Sequence, residues 1–121
     1  MAKSGRSIDE LLEDIVLWGE RTNRLIAGIS YEQFIESELH QLAIAKCIEA
    51  IGEASGKIRR LYPDFSACHP DFAFEEAYRT RNRLSHGYDT IDWQVVWDTA
   101  TRYVPELVAR VRTYLSAIDD E

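Results

Sequence analysis

The sequence of 121 residues has little of what marks several large classes of protein. Its only cysteines, Cys47 and Cys68, can form one disulfide at most. The opening MAKSGRSIDE lacks the apolar stretch of an export signal, and no apolar run approaches the roughly 18 residues that span a bilayer. We therefore expect a protein of the reducing cytoplasm with no membrane segment.

Glycine and proline are also scarce, with six and three residues, and neither gathers into a linker or a low-complexity tract. Hydrophobic residues make up 45% of the chain, and they include three Trp, six Tyr and four Phe. This apolar content suffices for one core, and the length suits one ordinary domain. We therefore predict a single helical domain over residues 1–121.

Positive charge is in the minority, with 14 Lys and Arg against 21 Asp and Glu and a net charge of −7. A molecule of this charge is not drawn to nucleic acid by its overall field. Any such partner must therefore be bound at a local positive site.

Capping signals divide the first part of the chain into helices. Ser7 with Glu10, and Ser30 with Gln33, have the spacing of capping boxes and predict the starts of the first two helices. Apolar residues at helical spacing carry the first helix to about Gly28.

Later elements are predicted by apolar periodicity and by proline. A third helix over 39–61 has an apolar surface wider than one stripe, so we expect it to be central with neighbours on two sides. Pro63 should end it, 64–70 reads as a loop, and a fourth helix should follow over 71–85.

The last helix is predicted to open near Asp92 and to continue past Pro105 with a kink. No segment shows the alternation of a strand. The fold class is therefore all-α, a four- to five-helix up-and-down bundle.

One segment differs in charge from the rest of the molecule. The acid-free segment, Ala77–Tyr88, has three arginines and a histidine, whereas the other residues sum to −10, from 11 Lys and Arg against 21 acids. On a helix, Arg81 lies about 140° from His86, so the two side chains meet only if the helix tightens or if two copies face each other in a dimer. Helical spacing instead places His86 on one face with three residues of the same segment, namely Arg79, Asn82 and Arg83.

Arginine and histidine together suit phosphoryl chemistry that needs no metal. Arginine is a permanent fork-shaped donor to phosphate oxygens, and histidine titrates near neutrality. In RNA the 2′-hydroxyl supplies the nucleophile, so an enzyme need only move protons and stabilise the phosphorus centre. The remaining candidate ligands lack zinc spacing and are interpreted as loop or core residues: His40, Cys47, Cys68 and His69.

Each feature also has a purely structural explanation. Cations near a helix C-terminus can simply interact favourably with the negative end of the helix dipole. Tyr88 could be a core aromatic with a bonded hydroxyl. The tryptophans, Trp18, Trp93 and Trp97, are interpreted as packing residues.

The longer string Arg81–Asp92, followed by Val96-Trp97 and preceded by Ala50–Ala54, resembles the HepT-like branch of the HEPN superfamily over nearly the whole chain. The family motif is Arg, a polar residue, three variable positions, His, one residue and Tyr, and every position is matched. One departure lies at 69–72, where the family commonly has an apolar residue, Pro and Trp; here Phe72 is expected to take the aromatic place in packing.

The resemblance implies a small homodimer that acts as a metal-independent, cofactor-free ribonuclease toxin of a type VII toxin–antitoxin system. Its partners would be RNA and a minimal nucleotidyltransferase antitoxin, similar to MntA. Carried over by residue, Arg81 would bind and polarise the scissile phosphate, Asn82 would assist positioning, and His86 would transfer protons. Tyr88 matches the tyrosine to which the antitoxin transfers AMP.

The other two arginines of the acid-free segment, Arg79 and Arg83, are predicted to bind RNA, and the dimer axis is expected near the fourth helix. A rival hypothesis is a non-catalytic module that holds nucleotide or substrate for a separate nucleotidyltransferase. A plain interaction bundle would leave the acid-free segment unexplained.

Overall fold

The computed structural model describes residues 7–85 and 90–119. Within those ranges every regular element is helical, which confirms the all-α prediction. Two short turns complete the helices: a 3₁₀ turn at Pro70–Phe72 and a π turn at Thr99–Tyr103. The α-helices are α1 (Ile8–Ile26), α2 (Tyr31–Ile35), α3 (Glu38–Leu61), α4 (Pro63–Cys68), α5 (Phe74–Ser85), α6 (Trp93–Asp98) and α7 (Val104–Asp119).

The predicted helix starts are confirmed where a side chain caps the first turn. Ser7 N–H donates to Glu10 Oε1 at 3.0 Å and Glu10 N–H to Ser7 Oγ at 3.1 Å, so both bonds of the first capping box form. The second box, at Ser30 and Gln33, also forms both bonds. Asp92 caps α6 by accepting from the Gln94 N–H at 3.0 Å.

The prediction of a loop over 64–70 is wrong. Pro63 does end α3, but it is also the first residue of α4, which runs to Cys68. Proline favours this position because its φ suits a helix and its missing N–H would lack an intrahelical acceptor there. The same residue thus closes one helix and opens the next.

The fourth predicted helix begins later than residue 71. The 3₁₀ turn comes first and buries Phe72, which is 3% exposed and takes the expected packing role. Ala73 then adopts a left-handed conformation, with φ of 53°, so α5 can start only at Phe74.

The helical path continues past Pro105, as predicted, and a π turn lies just before the proline. Val104 N–H donates to the Thr99 carbonyl, five residues back, which is the π pattern. Pro105 therefore lies in the first turn of α7. It cannot donate a backbone hydrogen bond, and the turn absorbs this defect without a break.

α3 is central, as predicted: it packs against α1 on one side and α5 on the other, while α1 also packs against α7. Two buried clusters share α3. Its C-terminal half packs with α1, α7 and the start of α5, and its N-terminal half packs with α2, α6 and the end of α5. Among the described residues, no helix has the length and apolar character needed to cross a membrane.

Candidate active site

The seating of α5 on α3 depends on Gly52. A Cβ added to Gly52 would lie 2.3 Å from Arg81 Cβ and 2.6 Å from the carbonyl oxygen of Ala77. No ordinary side chain fits this contact, because real Cβ atoms do not approach backbone so closely. Gly52 therefore allows the backbones of the two helices to approach and holds Arg81 over α3.

Arg81 is held by a neighbour on each helix. Its Nη2 lies 2.9 Å from Glu53 Oε1 on α3, and its Nη1 donates to Asn82 Oδ1 on α5 at 3.1 Å. The guanidinium carries five N–H donors, so donors remain for a ligand after these two contacts. The Arg81 side chain is 34% exposed, so an incoming anion can reach it.

The Arg81 groove, of about 410 Å³, lies between α1 and α3 beside this ion pair. Its walls carry equal numbers of positive and negative side chains. The charged lining residues are Lys46, Lys57 and Arg81, with Asp14, Glu49 and Glu53.

The other two arginines of the acid-free segment point elsewhere. Arg79 lies roughly 160° round α5 from Arg81, because each residue turns the helix by about 100°. Its Nη2 contacts Glu75 Oε2 at 2.6 Å on the exposed surface. Arg83 lines a third surface, a cavity of about 400 Å³ between α5 and α6 with apolar residues such as Ile91. The structure thus brings Asn82, but neither Arg79 nor Arg83, to Arg81.

His86, Gly87 and Tyr88 lie outside the described residues, so the meeting of Arg81 with His86 and the setting of Tyr88 stay predictions. The last residue of α5 is described: Ser85 Oγ donates to the Arg81 carbonyl at 3.0 Å. The position before His86 is therefore one helical turn beyond Arg81.

The residues set aside as non-ligands have ordinary surroundings. His40 Nδ1 lies 2.7 Å from Ser37 Oγ at the start of α3, and the His69 ring stacks on Phe65 at 4.2 Å. Cys68 is exposed, whereas Cys47 is buried and its burial raises the pKa of the thiol. Over 7–85 and 90–119, no three His, Cys, Asp or Glu residues form a group that could hold a metal ion.

The packing interpretation of two tryptophans is confirmed. Trp93 and Trp97 contact Phe34, with ring centroids 6.0 and 5.1 Å apart, in the cluster at the N-terminal half of α3. Trp18 packs only partly against the core, and it also lines the Arg81 groove.

Sequence reasoning missed Glu53 as a partner of Arg81. The segment Ala50–Ala54 supports the family resemblance, but its pattern predicts no role for the acid. The available signal was one carboxylate among small and apolar residues on a helix otherwise predicted to be central. An acid at the edge of such a helix can pair with a cation from a neighbouring helix.

The chain is a member of a ribonuclease family. Residues 10–114 match the family described as "Ribonuclease HepT-like", and the chain belongs to it. The family resemblance read from the sequence is therefore confirmed, and ribonuclease activity is established at the level of the family.

Individual relatives agree with that assignment. The chain is 34% identical over 102 residues to "Probable ribonuclease HepT" of Thermococcus cleftensis, covering 84% of this chain and 90% of the relative. It is 28% identical over 116 residues to "Putative RNase MJ0125" of Methanocaldococcus jannaschii, covering 96% and 97% of the two chains. A search of solved structures gave no significant match.

Proposed function

We propose that the chain is an endoribonuclease toxin that cleaves cytoplasmic RNA without a metal ion, with Arg81 and His86 as its catalytic pair and Asn82 as a positioning residue. The observation that carries the proposal is the setting of Arg81. It is held by Glu53 and Asn82, keeps free donors, and comes five residues before His86 in the sequence.

The proposed reaction is an attack within the substrate. The RNA 2′-hydroxyl gives up its proton and attacks the adjacent phosphorus, and the bond from phosphorus to the 5′-oxygen breaks. The products are a 2′,3′-cyclic phosphate and a free 5′-hydroxyl. Arg81 would stabilise the negative charge that grows on the phosphorus oxygens, while His86 would transfer the protons.

The deciding experiment compares purified wild type with His86→Ala on RNA in the presence of EDTA. A general acid or base typically contributes about 10²- to 10⁴-fold, so the variant should lose at least that order of activity. RNA with 2′-deoxyribose at the cleaved position should resist both proteins. Cleavage by His86→Ala at the wild-type rate would contradict the assignment, and RNA binding without cleavage would favour the non-catalytic module.

We further propose that the active form is a homodimer in which two acid-free segments line one cleft. One segment is short for gripping RNA, and two bring about six arginines together against the −7 charge of each chain. Arg79 and Arg83 would then contact RNA from surfaces that one chain alone keeps apart. Sedimentation should give a dimer at micromolar concentration, and a monomer there would contradict the arrangement.

The proposed regulator is a minimal nucleotidyltransferase antitoxin that transfers AMP to Tyr88. Support comes from the motif, in which Tyr88 follows His86 by two residues. An added phosphodiester would compete with RNA phosphate for Arg81, and the purine would fill space beside the catalytic pair.

A further inference from the structure

A second groove, the Trp18 groove, adjoins the Arg81 groove along α1 and α3. It has a volume of about 420 Å³ and shares two lining residues, Trp18 and Lys46, with its neighbour. Three cations and no acid line it. The charged residues are Arg21, Arg24 and Lys46, and the rest are Trp18, Leu25, Ala43 and Cys47.

The two grooves differ in formal charge. The Arg81 groove has three cations and three carboxylates, so its formal charge is zero and it attracts a polyanion weakly. The Trp18 groove has a formal charge of +3 within a molecule of net −7. The attraction that RNA needs near Arg81 is therefore concentrated in the adjoining groove.

The three cations, Arg21, Arg24 and Lys46, have no carboxylate partner among the described residues. The nearby acid Glu20 pairs instead with Arg112 of α7. Positive charge kept without carboxylate partners in an acidic protein is available to a ligand.

An aromatic surface accompanies the charge. Arg21 Cζ lies 4.5 Å from the ring centroid of Trp18, so guanidinium and indole form one stacked unit at the junction of the grooves. Proteins that bind single-stranded nucleic acid combine such planar groups, on which bases stack, with cations that follow the backbone. A simple anion site would not need the indole.

We propose that the Trp18 groove binds the single-stranded RNA adjoining the cleaved phosphate. A base stacks on the unit formed by Trp18 and Arg21, while Arg24 and Lys46 contact phosphates. The inference rests on the proposed function, because it takes Arg81 as the cleavage point.

The spacing fits a continuous strand. Lys46 and Glu53 are seven residues apart on α3, which corresponds to roughly 10 Å along the helix axis. A strand whose cleaved phosphate contacts Arg81 reaches the Trp18 groove within a few nucleotides.

The first experiment measures binding of a 2′-O-methyl RNA of about twelve nucleotides, which lacks the nucleophile and cannot be cleaved. The double variant Arg24→Ala/Lys46→Ala should weaken binding by about tenfold or more. The slope of log K against log salt should fall by about 1.4, since each phosphate contact on a single strand contributes about 0.7. The control, Arg60→Ala/Arg102→Ala, removes the same charge from exposed residues that line neither groove and should change binding little.

The second experiment tests the stacking. Trp18→Leu keeps an apolar side chain but removes the ring, and it should weaken binding on the order of tenfold. Thermal melting should show that the variant is folded. Cleavage of an unmodified RNA of the same length should show a raised KM in these variants.

Each possible failure has its own signature. The double variant and its charge-matched control could lose binding equally, or neither could lose any. Either result would show that the Trp18 groove does not bind RNA, while cleavage by wild type would still support the proposed ribonuclease. Wild type that binds the oligonucleotide through the groove but cuts no RNA overturns the proposed function alone. If Arg24→Ala/Lys46→Ala sediments with a changed oligomeric state, the groove is an interface between copies and the inference is wrong.

Discussion

Glu53 fixes Arg81 across the interface between α3 and α5, with Oε1 and Nη2 2.9 Å apart. Their side chains are 49% and 34% exposed, so the pair contributes only about 0.2–1 kcal/mol to the free energy of unfolding. Its significance is geometric. A long arginine side chain that would otherwise sample many rotamers is oriented at the edge of a groove, and the carboxylate leaves part of the guanidinium open to a phosphate.

Replacing Glu53 should therefore affect catalysis more than stability. We expect Glu53→Ala to lower kcat about ten- to a hundredfold, because a misplaced catalytic group costs on this order. Glu53→Gln retains an oxygen at the Oε1 position and should recover much of the rate. The measurements are steady-state kinetics and thermal melting, and a fully active Glu53→Ala would show that Arg81 needs no such support.

Gly52 should be intolerant of any side chain. Gly52→Ala puts a methyl group against the Ala77 carbonyl, and overpacking of this kind typically costs about 1–3 kcal/mol. Activity should fall as well, since α5 carries Arg81. The matched control is Gly56→Ala, one turn further along α3, where the new methyl meets the Tyr78 ring and not Arg81. It should lose stability but retain kcat in the folded fraction, as measured by denaturant unfolding and kinetics.

Gly52 and Glu53 also show which features can be predicted from the sequence and which cannot. Capping boxes, apolar periodicity and the central position of α3 depend on neighbours within a few turns, and they were predicted. Pro63 was misread because the residue that ends one helix can equally begin another. The roles of Gly52 and Glu53 depend on which part of α5 packs against α3. Short-range sequence patterns do not predict how these two helices align.

Tyr103 should make stability depend on alkaline pH. Its hydroxyl donates to the carbonyls of Phe72 at 3.0 Å and Ala73 at 2.9 Å, and burial raises the pKa of Tyr103 well above its usual value near 10. Above about pH 10 the unfolded chain loses this proton while the folded chain keeps it, so stability falls as pH rises.

Tyr103→Phe removes both effects. Near neutral pH it should lower the free energy of unfolding by about 1 kcal/mol, through the lost hydrogen bonds. As pH rises past 10, the difference in free energy of unfolding between wild type and Tyr103→Phe should become smaller. Urea unfolding at several pH values checks this, with Tyr31→Phe as a second tyrosine replacement. A gap that widens with pH would contradict the assignment.

Tyr88 is the predicted acceptor of AMP. It follows Gly87 and comes two residues after His86 in the sequence. Incubation with the cognate nucleotidyltransferase and ATP should add one or more AMP units to wild type, seen by mass spectrometry, and should abolish cleavage of RNA. Tyr88→Phe should gain no mass and should stay toxic when both proteins are expressed.

The control for Tyr88→Phe is Tyr78→Phe, which removes a hydroxyl from the same acid-free segment on the described part of α5. It should be modified and silenced like wild type. Modification should also weaken RNA binding without lowering the melting temperature, because AMP competes for Arg81 and does not disturb the helical core. If Tyr88→Phe is still modified, another tyrosine is the acceptor. If it is silenced without any gain in mass, the antitoxin acts by docking alone.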